Sequence, residues 1–149
     1  MAQVLRRRGR IQVKLDARER EALTSILDQL EPRIEETAAE RSRAYDDADL
    51  QHEYDRWVSP EVQHGREADV AVVRDGLSAG EDTLPLTEAQ ALAWLRAFNH
   101  VRVAAGGLLG IKHDGWEKQL DAKSQKTLEY GALIALGYLQ EELVAALES

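Results

Sequence analysis

The stretch TEAQALAWLRAFNHVRVAAGG, residues 87–107, decides the fold because it is typical of one long amphipathic helix. Thr87 and Gln90 have the spacing of a capping box, in which each side chain accepts a hydrogen bond from the other residue's backbone N–H. Apolar residues then recur at intervals of three and four, the helical period. Gly110 is expected to end the helix. The residues expected on its inward face are Leu92, Leu95, Phe98, Val101, Arg102 and Ala105.

Two further helices are predicted on either side of this one. Ser59-Pro60-Glu61 is a strong helix start, because serine caps and proline at the first helical position loses no needed donor. That helix should run to about Leu77, and the non-periodic segment 78–86 is predicted to be a loop. The C-terminal helix has a wide apolar face. Its members are Leu128, Ala132, Leu133, Leu136, Leu139, Leu143 and Leu147.

The N-terminus predicts a hairpin followed by a helix. Residues 10–15 alternate between polar and apolar, the period of two that is typical of a half-buried strand. Residues 4–7 are expected to pair with this strand through a turn at Arg8-Gly9, which gives the hairpin a basic outer face.

The first helix is predicted to begin at a second capping box, formed by Asp16 and Glu19. Pro32 should kink or break it, because proline lacks a backbone donor. The charged stretch 35–49 is either a solvated helical extension or a loop. The residues whose spacing predicts a further short helix are Leu50, Tyr54 and Trp57.

Together these patterns predict a mainly α fold, a helical bundle of four to five helices with a small N-terminal β-hairpin. The 149 residues are enough for one domain with one core. We expect residues 1–149 to form that domain, with the hairpin in 3–15 and the helices in 17–147.

Composition excludes several kinds of chemistry. The chain contains no cysteine, so it forms neither disulfides nor thiolate metal sites. No apolar segment follows the N-terminal arginines, which argues against a secretory signal and favours a cytoplasmic location. The longest uncharged run, Tyr130 to Gln140, is shorter than the roughly 20 apolar residues of a membrane span. No membrane association is expected.

The net charge of −8 is unevenly distributed. Arg6, Arg7, Arg8 and Arg10 lie in the first ten residues, whereas all 27 acidic residues lie in the rest of the chain. An acidic body repels phosphate backbones, so only this N-terminal arm is predicted to contact a nucleic acid. The arginines would bind phosphate or an acidic protein face, or they form a solvated strand face that discourages edge-to-edge pairing.

Asn99 and Arg102 lie three residues apart on the stripe of the long helix that faces partly inward. A buried guanidinium without a partner costs several kcal/mol, so carboxylates or carbonyls must meet it. Glu141 and Glu142 on the C-terminal helix are candidate partners. We favour an internal polar clamp between the two helices. The alternative is a binding site for a small molecule or a partner around Asn99 and Arg102.

Motifs for catalysis or metal binding are weak. Glu61-x-x-His64 has the spacing found in di-metal carboxylate bundles, but such a site needs a second copy and two further glutamates. The glycine-rich segment 106–110 closes a helix instead of opening one, so it does not predict a phosphate cradle. No nucleophile motif is present. We therefore expect no enzymatic activity, no catalytic residue, no cofactor and no metal.

The segments WLRAFNHVR (94–102), LGI (109–111) and YLQEELV (138–144) resemble the actinobacterial DUF2017 family. The resemblance is good over 84–148, fair over 3–31 and poor between, and it rests on helix-packing sequences. Asn99 and Arg102 match the family pattern, whereas Phe98 replaces its usual leucine. The family is associated with oxidative-stress regulation, through a transcription regulator that acts with the transcription machinery and senses redox state through cysteines.

The resemblance and the lack of an active-site motif imply a non-enzymatic regulatory domain. It would bind protein partners, such as the transcription machinery, without cysteine redox sensing. Two alternatives stay open: a DNA-contacting regulator that uses the basic arm, and a small-molecule-binding protein around Asn99 and Arg102. The sequence also leaves a homo-oligomer open.

Overall fold

The computed structural model describes residues 2–41, 59–109 and 127–149, and within them the side chains of 2–34, 64–108 and 127–149. These ranges form four helices and three strands, which confirms the mainly α class. The helices are α1 Ala17–Arg41, α2 Ser59–Ser78, α3 Glu88–Leu109 and α4 Leu128–Glu148. The strands are β1 Gln3–Arg7, β2 Arg10–Lys14 and β3 Thr83–Leu86. The predictions that lie outside the described residues concern residues 42–49 of the charged stretch, Leu50, Tyr54, Trp57 and Gly110.

The predicted hairpin is confirmed. β1 and β2 pair antiparallel, with Arg7 opposite Arg10 next to the turn. The two turn residues have positive φ angles, 54° at Arg8 and 77° at Gly9, as in a two-residue type I′ turn. Glycine adopts this conformation freely, whereas an arginine there costs about 1 kcal/mol.

The loop predicted over 78–86 is wrong at its end, because Thr83–Leu86 forms β3 and pairs antiparallel with β2. The sheet order is β1-β2-β3, so β3 is an edge strand. Leu84 and Leu86 are buried and Pro85 is exposed. A proline is tolerated here, since an edge strand has one side without ladder hydrogen bonds.

Helix α1 begins as predicted but does not break. The Asp16 N–H donates to Glu19 Oε1 at 3.0 Å and the Glu19 N–H donates to Asp16 Oδ1 at 2.8 Å. The helix continues through Pro32, so the expected break is absent. Leu30 and Ile34 on either side of the proline are buried, while Pro32 itself is exposed. Burial of two large aliphatic side chains offsets the roughly 3 kcal/mol that an internal proline costs.

Helix α3 lies at the centre of the described fold and contacts α1, α2, α4 and the sheet. Its capping box is confirmed, with Gln90 N–H donating to Thr87 Oγ1 at 3.1 Å and Thr87 N–H to Gln90 Oε1 at 2.9 Å. Trp94 and Phe98 fill the core edge to face, with ring centroids 5.7 Å apart. Small residues on the other buried positions let neighbouring helices approach. They are Ala91, Ala93, Ala97, Ala104 and Ala105.

Apolar side chains of two helices are exposed on the surface. Leu92 of α3 is 43% exposed, so the prediction that it faces inward is wrong. Ala91 and Trp94 are the residues of this turn that face the core. Helix α4 is apolar on its solvent side as well as on its buried side, since Ile134 is 49% and Val144 is 39% exposed. Strand β1 packs along another side of α4.

Candidate functional site

A groove of about 690 Å³ lies between α3 and α4. This volume is within the range of ordinary ligand pockets. One wall is contributed by α3 through Leu95, Arg96, Asn99, His100 and Arg102. The other wall is contributed by α4 through Gly137, Gln140, Glu141, Val144, Ala145 and Glu148. We refer to this feature as the α3/α4 groove.

Arg102 lies across the groove from Gly137 and Gln140. Its Nη1 donates to Gln140 Oε1 at 2.5 Å, and Gln140 Nε2 in turn donates to the backbone carbonyl of Leu95 at 3.3 Å. Gln140 is therefore fixed by two residues of α3. A Cβ built on Gly137 would lie 3.6 Å from Arg102 Nη2, so the guanidinium rests against the helix backbone at a position without a side chain.

The structure brings the predicted clamp residues together in part. Asn99, Arg102 and Glu141 all line the groove, whereas Glu142 is partly buried outside its lining. The acceptor of the Arg102 hydrogen bond is the amide of Gln140 and neither of the two glutamates. Sequence reasoning missed Gln140 because the only side chains that it named as partners are those of Glu141 and Glu142. The signal was available, since Gln140 interrupts the apolar stripe of α4.

A second polar cluster borders the groove and joins α2 to α3. Asp69 of α2 is buried and accepts hydrogen bonds from Arg96 Nε and Nη2, both at 3.0 Å. These bonds raise the pKa of Arg96 above its usual value. His100 Nε2 lies 3.6 Å from Asp69 Oδ2. Burial, followed by the charge of Arg66, lowers the pKa of His100, and the opposing attraction of Asp69 is smaller.

We predict that His100 makes the protein less stable in mild acid. Its pKa in the folded state lies below its ordinary value of 6.5, so below that pH the unfolded chain binds more protons than the folded one. The free energy of unfolding should therefore fall as the pH drops from about 7 towards 5. In denaturation series across this range, His100→Asn should flatten the dependence relative to wild type. His64→Asn on exposed α2 surface is the control, and parallel curves for wild type and His100→Asn would contradict the prediction.

Three of the four N-terminal arginines share one surface. Arg7, Arg8 and Arg10 are exposed at the end of the hairpin, and we call them the hairpin tip. Arg7 and Arg10 are directly opposite across β1 and β2, a like-charge pairing that destabilises a sheet.

Arg6 does not belong to the hairpin tip, because its side chain binds the end of α4. Its Nε donates to the carbonyl of Ala146 at 3.2 Å and its Nη2 to that of Leu147 at 3.2 Å. Nη2 also pairs with Glu88 Oε1 at 3.0 Å. The last carbonyls of a helix lack intrahelical donors, so Arg6 acts as a cap that ties β1 to α4 and α3.

Replacing Arg6 by alanine is expected to lower the free energy of unfolding by about 1–2 kcal/mol, because two carbonyls lose a charged donor. Arg7→Ala is the matched control and should not lower it, since Arg7 is exposed and its removal relieves the like-charge pair with Arg10. Urea denaturation of both variants measures the difference. Equal free energies of unfolding for the two variants would contradict the role of Arg6 as a cap of α4.

Motifs for metal or membrane binding gain no geometric support in the described residues. His64 is exposed on α2, and the side chain of Glu61 is outside the described part. Among the side chains that the structure describes, no three His, Asp or Glu residues are placed to hold a metal ion. No helix in the described ranges is both long and apolar enough to cross a membrane.

Comparison with known proteins gives one match. The model of a family described as a domain of unknown function, DUF2017, matches residues 1–147. No curated protein and no solved structure matches the chain. The matched range includes the hairpin tip and, apart from Glu148, every residue of the α3/α4 groove. The description of the family contains no activity, so a function has to be argued from the geometry of the chain itself.

Proposed function

We propose that this chain, which belongs to the DUF2017 family, is a non-enzymatic regulatory domain that binds a protein partner in the α3/α4 groove. The observation that supports this proposal is the apolar surface of α4. Ile134 and Val144 are large, aliphatic and more than a third exposed. Val144 lies in the groove wall, and Ile134 precedes the groove residue Glu141 by two helical turns. Exposed aliphatic side chains on one face of a helix, beside polar residues, are typical of protein-binding sites.

A finer part of the proposal concerns the kind of partner. The resemblance described above supports a component of the transcription machinery in an actinobacterial cytoplasm. Because the chain contains no cysteine, regulation would act through binding and not through thiol oxidation. The acidic composition of the chain beyond its first ten residues disfavours direct contact with a long stretch of nucleic acid, which also supports a protein partner.

The proposal is tested by capturing partners with two variants that add the same charge at different places. Ala145 is exposed in the groove wall, and Ala22 is exposed on α1 outside it. Ala145→Arg should fill the groove with a long cation and reduce capture of the partner from source-cell lysate at least about tenfold, a loss near 1.4 kcal/mol. Ala22→Arg should capture as much as wild type.

Equal capture by wild type and Ala145→Arg would refute the groove as the binding site. Enrichment of a second copy of this chain alone would mean that the groove is a homo-oligomer contact, and this too would refute the proposal. Circular dichroism of both variants checks that each is folded, so that loss of capture reports binding.

A second candidate function is contact of the hairpin tip with a nucleic acid. Two features of the hairpin tip lower its local stability, the like-charge pair of Arg7 and Arg10 and the positive φ angle of Arg8. Unfavourable local features of this kind are found mainly where function requires them. A triple change of the three arginines to alanine should abolish gel-shift binding at low salt. Arg6 is left in place because of its structural contacts. Unchanged binding, or no binding by wild type, would exclude this function.

A further inference from the structure

Arg102 differs from Arg6, Arg20 and Arg74, which are half-buried as well. Its Nη1 hydrogen-bonds to a neutral amide, and its Nε is buried without a hydrogen-bond partner. Within the described residues, no carboxylate forms an ion pair with it. Each of these three half-buried arginines pairs with a carboxylate, Arg6 with Glu88, Arg20 with Asp82, and Arg74 with Asp28 and Glu31. The more exposed Arg96 pairs with Asp69.

The environment of Arg102 suits an incoming anion. A half-buried guanidinium loses hydration, and a hydrogen-bonded carboxylate is the group that best compensates for this loss. Gly137 opposite the guanidinium adds no side chain that would compete for the space, and Asn99 lies one helical turn before Arg102 in the same wall. The cation thus lies in the wall of an open groove instead of in a closed core.

We propose that the α3/α4 groove selects its partner through a glutamate or aspartate side chain that pairs with Arg102. This inference rests on the proposed function and names the group by which the partner is anchored. The carboxylate supplies the charged partner that Arg102 lacks, while the exposed apolar residues of α4 contact the flanking part of the same segment.

The dimensions of the groove favour a protein segment over a small free acid. On α4 the groove runs from Gly137 to Glu148, eleven residues apart, which is roughly 16 Å along a helix. Leu95 and Val144 provide apolar surface along the groove, and Glu141 and Glu148 provide negative charge on its α4 wall. A small carboxylic acid would contact the Arg102 end alone. A segment with an acidic residue, apolar residues and then a basic residue would match the whole groove.

The charge requirement can be measured on the purified full chain with two isosteric probes, N-acetylglutamate amide and N-acetylglutamine amide. Nitrogen-15 NMR at low salt follows the Nε–H signal of Arg102, which is assigned by its loss in Arg102→Lys. We expect the glutamate probe to shift this signal in a saturable manner and the glutamine probe to bind at least about tenfold more weakly. An unmoved signal, or equal shifts with both probes, would overturn the inference.

A second readout separates this inference from the proposed function. If Ala145→Arg abolishes partner capture and Arg102→Gln reduces it about tenfold or more, both hold. If Ala145→Arg abolishes capture but Arg102→Gln does not reduce it, the groove binds a partner without the carboxylate and the inference fails alone. If neither variant alters capture while the glutamate probe still binds, Arg102 is a small-acid site and both proposals fail.

The variant Arg102→Gln also tests whether Arg102 is only a structural clamp between α3 and α4. Glutamine at this position keeps a polar amide in the groove wall but removes the unbalanced charge. If Arg102 serves binding, Arg102→Gln should melt at the same or a higher temperature than wild type. Residues at binding sites often lower the stability of the fold, so their replacement can stabilise it. A lower melting temperature together with unchanged capture would assign Arg102 to the core and overturn the inference.

Discussion

Replacing Trp94 by alanine is expected to lower the free energy of unfolding by about 3–5 kcal/mol, the largest effect that we predict for a single change. Trp94 is 1% exposed on the central helix α3 and packs edge to face on Phe98. Its removal leaves a cavity where α2 and α3 meet, and helices that are fixed on several sides collapse into such a cavity only in part. For a domain of this size such a loss is a large part of the total stability.

The control for this prediction is Trp94→Phe. The indole Nε1 of Trp94 is buried and has no hydrogen-bond partner in the described part of the chain, so phenylalanine removes an unsatisfied donor while it keeps most of the packing. Its cost should be less than half that of Trp94→Ala in urea denaturation. Similar costs for the two variants would mean that the indole ring is not a main element of the core.

The second large effect is expected for Gly76→Ala in α2. A Cβ at this position would lie 2.7 Å from Trp94 Cζ2, too close for any two carbon atoms that are not bonded. Because Trp94 is enclosed, either the ring or α2 must shift, and overpacking of this kind costs about 1–3 kcal/mol. We expect the upper part of this range, since the clashing atom belongs to a rigid ring.

Gly65 in the same helix provides a matched control. A Cβ there would meet no atom within 4 Å, and the residue is exposed. Gly65→Ala should raise the free energy of unfolding by up to about 1 kcal/mol through helix propensity alone. We therefore predict that Gly76→Ala lowers the free energy of unfolding, whereas Gly65→Ala raises it. In a Trp94→Phe background the cost of Gly76→Ala should fall, and additive effects of the two changes would contradict the proposed contact.

Features that depend on short, local patterns were predicted correctly from the sequence. The two capping boxes, at Asp16 with Glu19 and at Thr87 with Gln90, formed as expected. The hairpin also formed, with its turn at Arg8. In each of these cases, the interacting groups are within a few residues of one another, so spacing alone determines whether they meet.

Features that depend on distant partners were not predicted. Strand β3 has only four residues, and its alternation becomes meaningful only when β2 is adjacent to it. The continuity of α1 through Pro32 depends on burial of Leu30 and Ile34 in the core. No local rule weighs such tertiary packing against the cost of an internal proline.

The candidate site was predicted in part for the same reason. Asn99 and Arg102 could be singled out because polar residues on an apolar stripe are conspicuous. Their surroundings could not be predicted, since the register between α3 and α4 decides that Arg102 meets Gln140 instead of Glu141. The bonds between Asp69 and Arg96 are not predictable from the sequence, because it does not indicate which faces of α2 and α3 come together.

The central claim is that a protein partner occupies the α3/α4 groove, and site-specific photo-crosslinking in source cells tests it most directly. A benzoylphenylalanine at Val144 in the groove should form a covalent adduct with a second protein, and the adduct should disappear when Ala145→Arg is added. The same photoreactive residue at Ala22 on α1 should give no adduct with that protein. Absence of an adduct at Val144, or the same adduct from Ala22, would contradict the account.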